Sequence, residues 1–217
     1  ANQSVSGTTE KSKGAGQPTR ILLVDDHPLV RKGLANVIGV HAGFEICDEA
    51  DNIPSAIDAF DKSRPDVVIV DLKLNGDSGL DLVRQLRSRS PAVRILVCSM
   101  YEESAFAERA LRAGASGYVN KNEPGAAVVE AVRDVLAGRI YVSGDFKDEI
   151  VRRLTANRET TDAEPLRCLS DREMQVFEMI GRGMSIHDIA QHLHLSPRTV
   201  ETYRDGIKNK LNLGSSR

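Results

Sequence analysis

The chain has 217 residues, 41% of them hydrophobic and 28% charged, with a formal net charge of −2. That length fits one large domain or two ordinary ones, and the near-neutral total excludes a blanket positive field for nucleic acid or membrane. No apolar run reaches the ~18 residues of a membrane span, and three scattered cysteines (Cys47, Cys98, Cys168) exclude a disulfide framework or zinc ribbon and suit a reducing cytoplasm.

Residues 1–18 are rich in Gly, Ser, Thr and Lys, with Val5 the one large aliphatic side chain, and read as a disordered tail. From Arg20 to about Gly138, short apolar runs alternate with helical patterns. The runs are Ile21–Val24, Phe44–Cys47, Val67–Val70, Ile95–Cys98 and Gly117–Val119. The first, third and fourth are nearly continuous in Val, Ile and Leu, as parallel strands covered on both faces require. Between them, Leu29, Leu34, Val37 and Ile38 form one apolar stripe, and Leu80, Val83 and Leu86 another. Ala126, Val129, Val132, Val135 and Leu136 form the last before Gly138. Five such βα units predict an α/β fold with an open, doubly wound, five-stranded parallel sheet over residues 19–140.

Residues 141–168 read as a linker, with a candidate helix over 144–156 and a polar tether after it. From 169 to 217 the pattern is wholly helical and predicts a small all-α domain. Ser170 and Glu173 have capping-box spacing, with Leu169 and Met174 at the staple positions. Met174, Phe177 and Ile180 lead to Gly181 and Gly183; Ser185 precedes a helix carrying Ile186, Ile189, Ala190 and Leu193. Ser196-Pro197 is an N-cap followed by proline at the first helical position, and the next stripe is Val200, Tyr203, Ile207 and Leu211. Two helices joined at His194-Leu195 predict a helix-turn-helix.

In doubly wound sheets, chemistry collects beyond the carboxyl ends of the strands. Strand one ends in Asp25-Asp26, strand three in Asp71, strand four in Ser99, and strand five runs through Tyr118 toward Lys121. Three carboxylates that close repel one another, and Mg²⁺ relieves such repulsion while leaving sites for phosphate oxygens. An aspartate can also act as a nucleophile toward a phosphoryl group, with Lys121 and the cation neutralising the phosphoryl oxygens. His27, His41, His187, His192 and His194 show no metal-ligand pattern and read as solvent or packing residues. A phosphoester hydrolase of the haloacid-dehalogenase type needs D-x-D after strand one; here the two acids are adjacent, and no cap insertion is evident.

The segments ILLVDDHPLVRKGL, VVIVDLKLNGDSGL, ILVCSM and GASGYVNK together resemble the receiver domain of bacterial two-component response regulators. LSDREMQVFEMIGRGMSIHDIAQHLHLSPRTVETYRDGIKNKL resembles the LuxR-type helix-turn-helix, and the pair is that of the NarL/FixJ class. The resemblance implies strand order 2-1-3-4-5 and makes Asp71 the phosphate acceptor. Asp25, Asp26, Asp71 and the Lys73 carbonyl become the Mg²⁺ ligands. It also makes Lys121 the lysine that contacts the phosphoryl group, Ser99 the switch hydroxyl and Tyr118 the aromatic that follows it. The implied protein is a DNA-binding transcription regulator, not a classical enzyme, phosphorylated by a sensor histidine kinase and homodimeric when phosphorylated. The alternative is a regulator independent of phosphorylation, whose receiver is a protein-interaction module.

Asn75 stands where the family usually has Pro, which predicts a looser active-site loop. Met100, bulkier than the usual residue after the switch serine, either narrows access to Asp71 or packs outward. Residues 196–217 hold five basic and two acidic side chains, a net +3, against −5 over residues 1–195. The last helix is therefore the expected DNA surface. By resemblance, Glu201, Thr202 and Asp205 take base-reading positions, and Arg198, Thr199, Arg204, Lys208 and Lys210 complete the DNA-facing set. The LuxR-type domain usually carries a fourth helix, which this sequence is expected to lack.

Overall fold

A computed structural model describes residues 17–155, 165–193 and 195–213; residues 1–16 of the expected tail and most of the polar tether expected over 157–167 lie outside the described residues, as do His194 and 214–217. The strands are β1 (Thr19–Val24), β2 (Phe44–Ala50), β3 (Val67–Val70), β4 (Lys73–Leu74), β5 (Asp77–Ser78), β6 (Arg94–Ser99) and β7 (Gly117–Asn120). Five of them make one parallel sheet in the order β2-β1-β3-β6-β7, while β4 and β5 pair antiparallel beside it. This is the expected doubly wound sheet. Strand β2 continues three residues beyond the apolar run that marks it, its register with β1 shifting at Ile21/Leu22. As an edge strand it tolerates Asp48 and Glu49, which hid its length.

The helices are α1 (Pro28–Gly39), α2 (Ile53–Ser63), α3 (Gly79–Arg89), α4 (Glu103–Ala113), α5 (Gly125–Leu136), α6 (Gly144–Thr155), α7 (Asp171–Gly181), α8 (Ile186–His192) and α9 (Pro197–Lys210). Helices α1 and α5 cover one sheet face, where Ile38, Val128 and Val132 meet Ile21, Leu23, Ile69 and Leu96. Helices α2, α3 and α4 cover the other, with Phe60, Leu82, Leu86 and Ala107 packed on Leu22, Val68, Ile95 and Val97. Successive strand residues thus alternate between two apolar layers, which explains the nearly unbroken Val/Ile/Leu runs. The candidate linker helix forms as α6, and Phe146 and Ile150 pack it onto this second layer.

Helices α7, α8 and α9 enclose a separate core of Met174, Val176, Met179, Ile189, Val200 and Ile207. Both Ser170/Glu173 and Ser185/Asp188 form reciprocal capping boxes, and Ser196 caps α9 through the Thr199 N–H. Phe177 and Ile180, expected on the inner stripe of α7, are only partly buried; Val176 and Met179 hold the interior.

The two units touch. Asp171 at the start of α7 accepts from Arg109 of α4 at 3.1 Å and also from Arg84 of α3. Arg109 donates to the Leu166 carbonyl at 2.9 Å, and Phe106 packs against both hydrophobic cores. On α7, Arg182 donates to the Tyr101 hydroxyl at 3.3 Å.

Candidate functional site

The carboxyl ends of β1, β3, β6 and β7 bring the expected residues together. The Asp71 N–H donates to the Val24 carbonyl at 2.8 Å, which sets the loop after β3 beside the one after β1. Asp25, Asp71 and Ser99 are at most 5% exposed, and Tyr118 is fully buried. Lys121 donates to Asp25 Oδ2 at 2.6 Å and to Asp71 Oδ2 at 2.7 Å, its own side chain only 6% exposed. Burial pushes the Asp71 carboxyl above its usual range, against the pull of Lys121. Burial alone would lower the Lys121 ammonium, but the facing Asp71 and Asp25 carboxylates outweigh it and raise it. One buried cation therefore serves two buried anions, so the pocket is short of positive charge.

Asp25, Asp26, His27 and Asp71 each offer one ligand atom within 4.8 Å of one another. The His27 N–H donates to Asp25 Oδ1 at 2.8 Å, and its ring Nδ1 lies 2.7 Å from Asp26 Oδ1 and 3.3 Å from Asp25 Oδ1. The His27 side chain is 60% exposed, as expected of a solvent residue, yet its ring faces the carboxylates. It sits at the acids, and its place directly after Asp25-Asp26 was the available signal. Asp26 Oδ1 is buried and accepts no hydrogen bond among the described residues, while Oδ2 accepts from the Asn75 N–H at 3.0 Å.

Asn75 corrects an expectation. The loop carrying it is a closed hairpin rather than a looser one: Leu74 pairs with Asp77, and Asn75 and Gly76 take φ +48° and +96° between them. Those signs suit a two-residue type I′ turn, for which Asn-Gly is a favoured sequence. That dipeptide was the overlooked signal, since two-residue strands are too short to show alternation. Lys73, the expected carbonyl ligand, lies on β4 of this hairpin. Gly79 closes the loop; a Cβ there would lie 1.9 Å from the Asp71 carbonyl oxygen. Met100 points outward and is 59% exposed.

From the acceptor a chain of polar contacts leads away from the pocket. Ser99 lies beside both the Asp71 carboxylate and the Tyr118 hydroxyl, and Tyr118 donates to the Tyr101 carbonyl at 2.7 Å. The Tyr101 ring stacks on Phe106 at 4.9 Å between centroids, and its hydroxyl reaches Glu178 and Arg182 of α7.

The residues expected to face DNA lie on α9, with Ser196 as its cap. Arg198, Glu201, Thr202, Asp205 and Lys208 are exposed, although α7 and α8 pack toward the sheet unit. Thr199 is partly buried at the cap, and Arg204 leans on Asp205 at 3.4 Å. Lys210 is held by Glu173 at 2.6 Å, an ion pair with a second role for a residue expected to face DNA.

Two family models match the chain: the response regulator receiver domain over residues 21–133 and the luxR family of bacterial regulatory proteins over residues 167–217. The response regulator GacA of Pseudomonas viridiflava is 35% identical over 196 residues, 90% of this chain and 91% of that protein. A LuxR-family two-component response regulator from Aurantimonas sp. SI85-9A1 is 40% identical, with 64% of this chain and 99% of that one covered and a TM-score of 0.60. RcsB from Salmonella enterica serovar Typhimurium, solved bound to a promoter in the presence of a beryllofluoride phosphomimetic, shares the fold with a TM-score of 0.66 at 21% identity, over 93% of this chain and 95% of that one. The chain belongs to the NarL/FixJ-class response regulators and is a transcription regulator that joins a receiver to a LuxR-type DNA-binding domain.

Proposed function

We propose that a sensor histidine kinase phosphorylates Asp71, in a receiver spanning residues 19–140, and that this controls promoter binding and homodimerisation through the domain at 169–217. The observation that carries the reading is the buried Asp71 carboxylate, sharing Lys121 with Asp25 at the sheet edge. In the transfer, an Asp71 oxygen forms the new P–O bond as the P–N bond to the donor imidazole breaks, and the leaving nitrogen takes a proton. Lys121 already bonds Asp71 Oδ2, which leaves Oδ1 as the oxygen to attack. Its ammonium then lies where charge develops on the phosphoryl oxygens.

The residues fit a divalent cation. Asp26 Oδ1 is a buried anionic oxygen with no hydrogen bond, beside two further carboxylates. Asp25, Asp26, Asp71 and the Lys73 carbonyl would hold Mg²⁺, which supplies neutralising charge to phosphoryl oxygens when bound. Ser99, beside Asp71 and Tyr118, then turns to the phosphoryl group, and the change passes along Tyr118 and Tyr101 to α7. At the other end, Glu201, Thr202 and Asp205 read base edges, while Arg198, Thr199, Arg204 and Lys208 meet phosphates. A relative of the same fold was solved bound to a promoter, which supports DNA binding by this domain. Asp71 takes up phosphate by self-catalysed transfer, and self-catalysed hydrolysis of the acyl phosphate returns the carboxylate and releases inorganic phosphate; the protein is not an enzyme in the usual sense.

Incubation with Mg²⁺ and a small phosphodonor tests the reading by intact mass. Wild type gains one phosphoryl group and Asp71→Asn gains none. A gain of equal size in both removes Asp71 as acceptor.

A further inference from the structure

We propose that Asn75 is a positioning residue of the cation site: its backbone N–H fixes Asp26 Oδ2 and so keeps Oδ1 turned toward the ion. The inference rests on the acceptor reading above and adds to it a residue outside the ligand set.

Two donors of Asn75 tie three loops together. Its backbone N–H reaches Asp26 after β1 at 3.0 Å, and its side-chain Nδ2 donates to the Asp51 carbonyl after β2 at 2.9 Å. The residue itself lies after β3, between the paired Leu74 and Asp77. A carboxylate can rotate and exchange its two oxygens. With Oδ2 bound to a backbone donor, that freedom is removed; Oδ1 is buried, accepts no hydrogen bond among the described residues, and has the His27 ring nitrogen 2.7 Å away.

The N–H meets Asp26 within a two-residue turn that requires Asn75 at φ +48°, a left-handed conformation that Asn adopts far more readily than most side chains. Proline, usual here in the family, has no N–H to give and a φ fixed near −65°. The bond to Asp26 is therefore a property of this chain's Asn-Gly turn. Groups that orient metal-binding side chains without touching the ion typically change metal affinity by about 10–100-fold.

The test uses the full chain, with Mg²⁺ as the probe and amide NMR shifts as the readout. Asn75→Gly keeps both the N–H and the left-handed φ, and binds Mg²⁺ within about twofold of wild type, an effect below that range. Asn75→Val keeps the N–H but cannot hold the φ, and binds about tenfold or more weakly. The thermal midpoint without Mg²⁺ is read alongside, because a purely structural role lowers that midpoint and leaves the affinity of the folded protein unchanged. Equal affinity of folded Asn75→Val and wild type overturns the inference and leaves the acceptor reading standing. Absence of Mg²⁺ binding by wild type overturns both. If Asn75→Val does not fold, Asn75→Ala takes its place; weaker binding than Asn75→Gly supports the inference, and equal binding overturns it.

Discussion

Single residues in the acidic pocket work by excluding alternatives. Gly79 is the clearest. Its N–H donates to the Leu72 carbonyl at 2.8 Å, and any side chain would enter the Asp71 backbone. Gly79→Ala is expected to cost about 3 kcal/mol, at the upper end for overpacking, measured by urea unfolding. It also slows phosphate uptake, because the acceptor must move to make room. Asp71 and the Asp25-Asp26 pair were legible in the sequence because each ends a strand whose apolar run is unmistakable, while Lys121, after the short Gly117–Val119 run, was legible through its place in the family pattern. His27 was not. Its place directly after Asp25-Asp26 was a signal, but the ring orientation that brings Nδ1 2.7 Å from Asp26 Oδ1 is set by the fold. Asn75 escaped for a different reason: the familiar pattern around Asp71 drew attention to a missing proline and away from the Asn-Gly turn signal.

Among the elements, α9 shows how one helix serves both packing and recognition. Gly206 interrupts it, and mid-helix glycine ordinarily costs about 1 kcal/mol relative to alanine. The packing gives the reason, since a Cβ at 206 would lie 3.0 Å from Glu173 Oε1. That carboxylate closes the α7 capping box and accepts from Lys210 at 2.6 Å. Gly206→Ala is therefore expected to gain less than the usual ~1 kcal/mol in a thermal melt. Partial burial alone would raise the Glu173 carboxyl, but its bonds from Lys210 and Ser170 outweigh that and hold it below its usual range. A lowered carboxylate contributes stability above the unfolded value near 4.5, and that stability is lost as pH falls through the lower folded value. The Lys210→Met variant should lose less stability than wild type over that acid window, as followed by circular dichroism.

The whole molecule couples its two units through charged contacts around an apolar seam. Asp171 meets Arg84 and Arg109, while Met174 and Met179 face Leu72, Leu80 and Tyr101 across a small cleft. This docking leaves Glu201, Thr202 and Asp205 exposed, so undocking is not needed to uncover the proposed reading residues. Burial of Glu178 beside Tyr101 pushes its carboxyl up, against the pull of the Tyr101 hydroxyl, Arg182 and Lys73. A raised carboxyl favours the docked form below the unfolded value near 4.5, and the contribution fades as pH rises through the higher folded value. Scattering radii should therefore shrink on mild acidification in wild type and less so in Glu178→Gln; an identical response in both contradicts the assignment. The fold class was legible in the sequence because five βα units leave a strong periodic trace. The docking was not, since Arg84, Arg109 and Asp171 lie far apart in the chain and look like ordinary surface charges.

We propose that phosphorylation of Asp71 governs DNA binding. The most direct test is the affinity of the full chain for DNA selected from a random pool, with and without Mg²⁺ and a small phosphodonor. Wild type is expected to gain about tenfold in affinity, a coupling within the usual allosteric range, and Asp71→Asn to gain nothing. Equal affinity of wild type in both conditions, or the same gain in Asp71→Asn, would contradict the account.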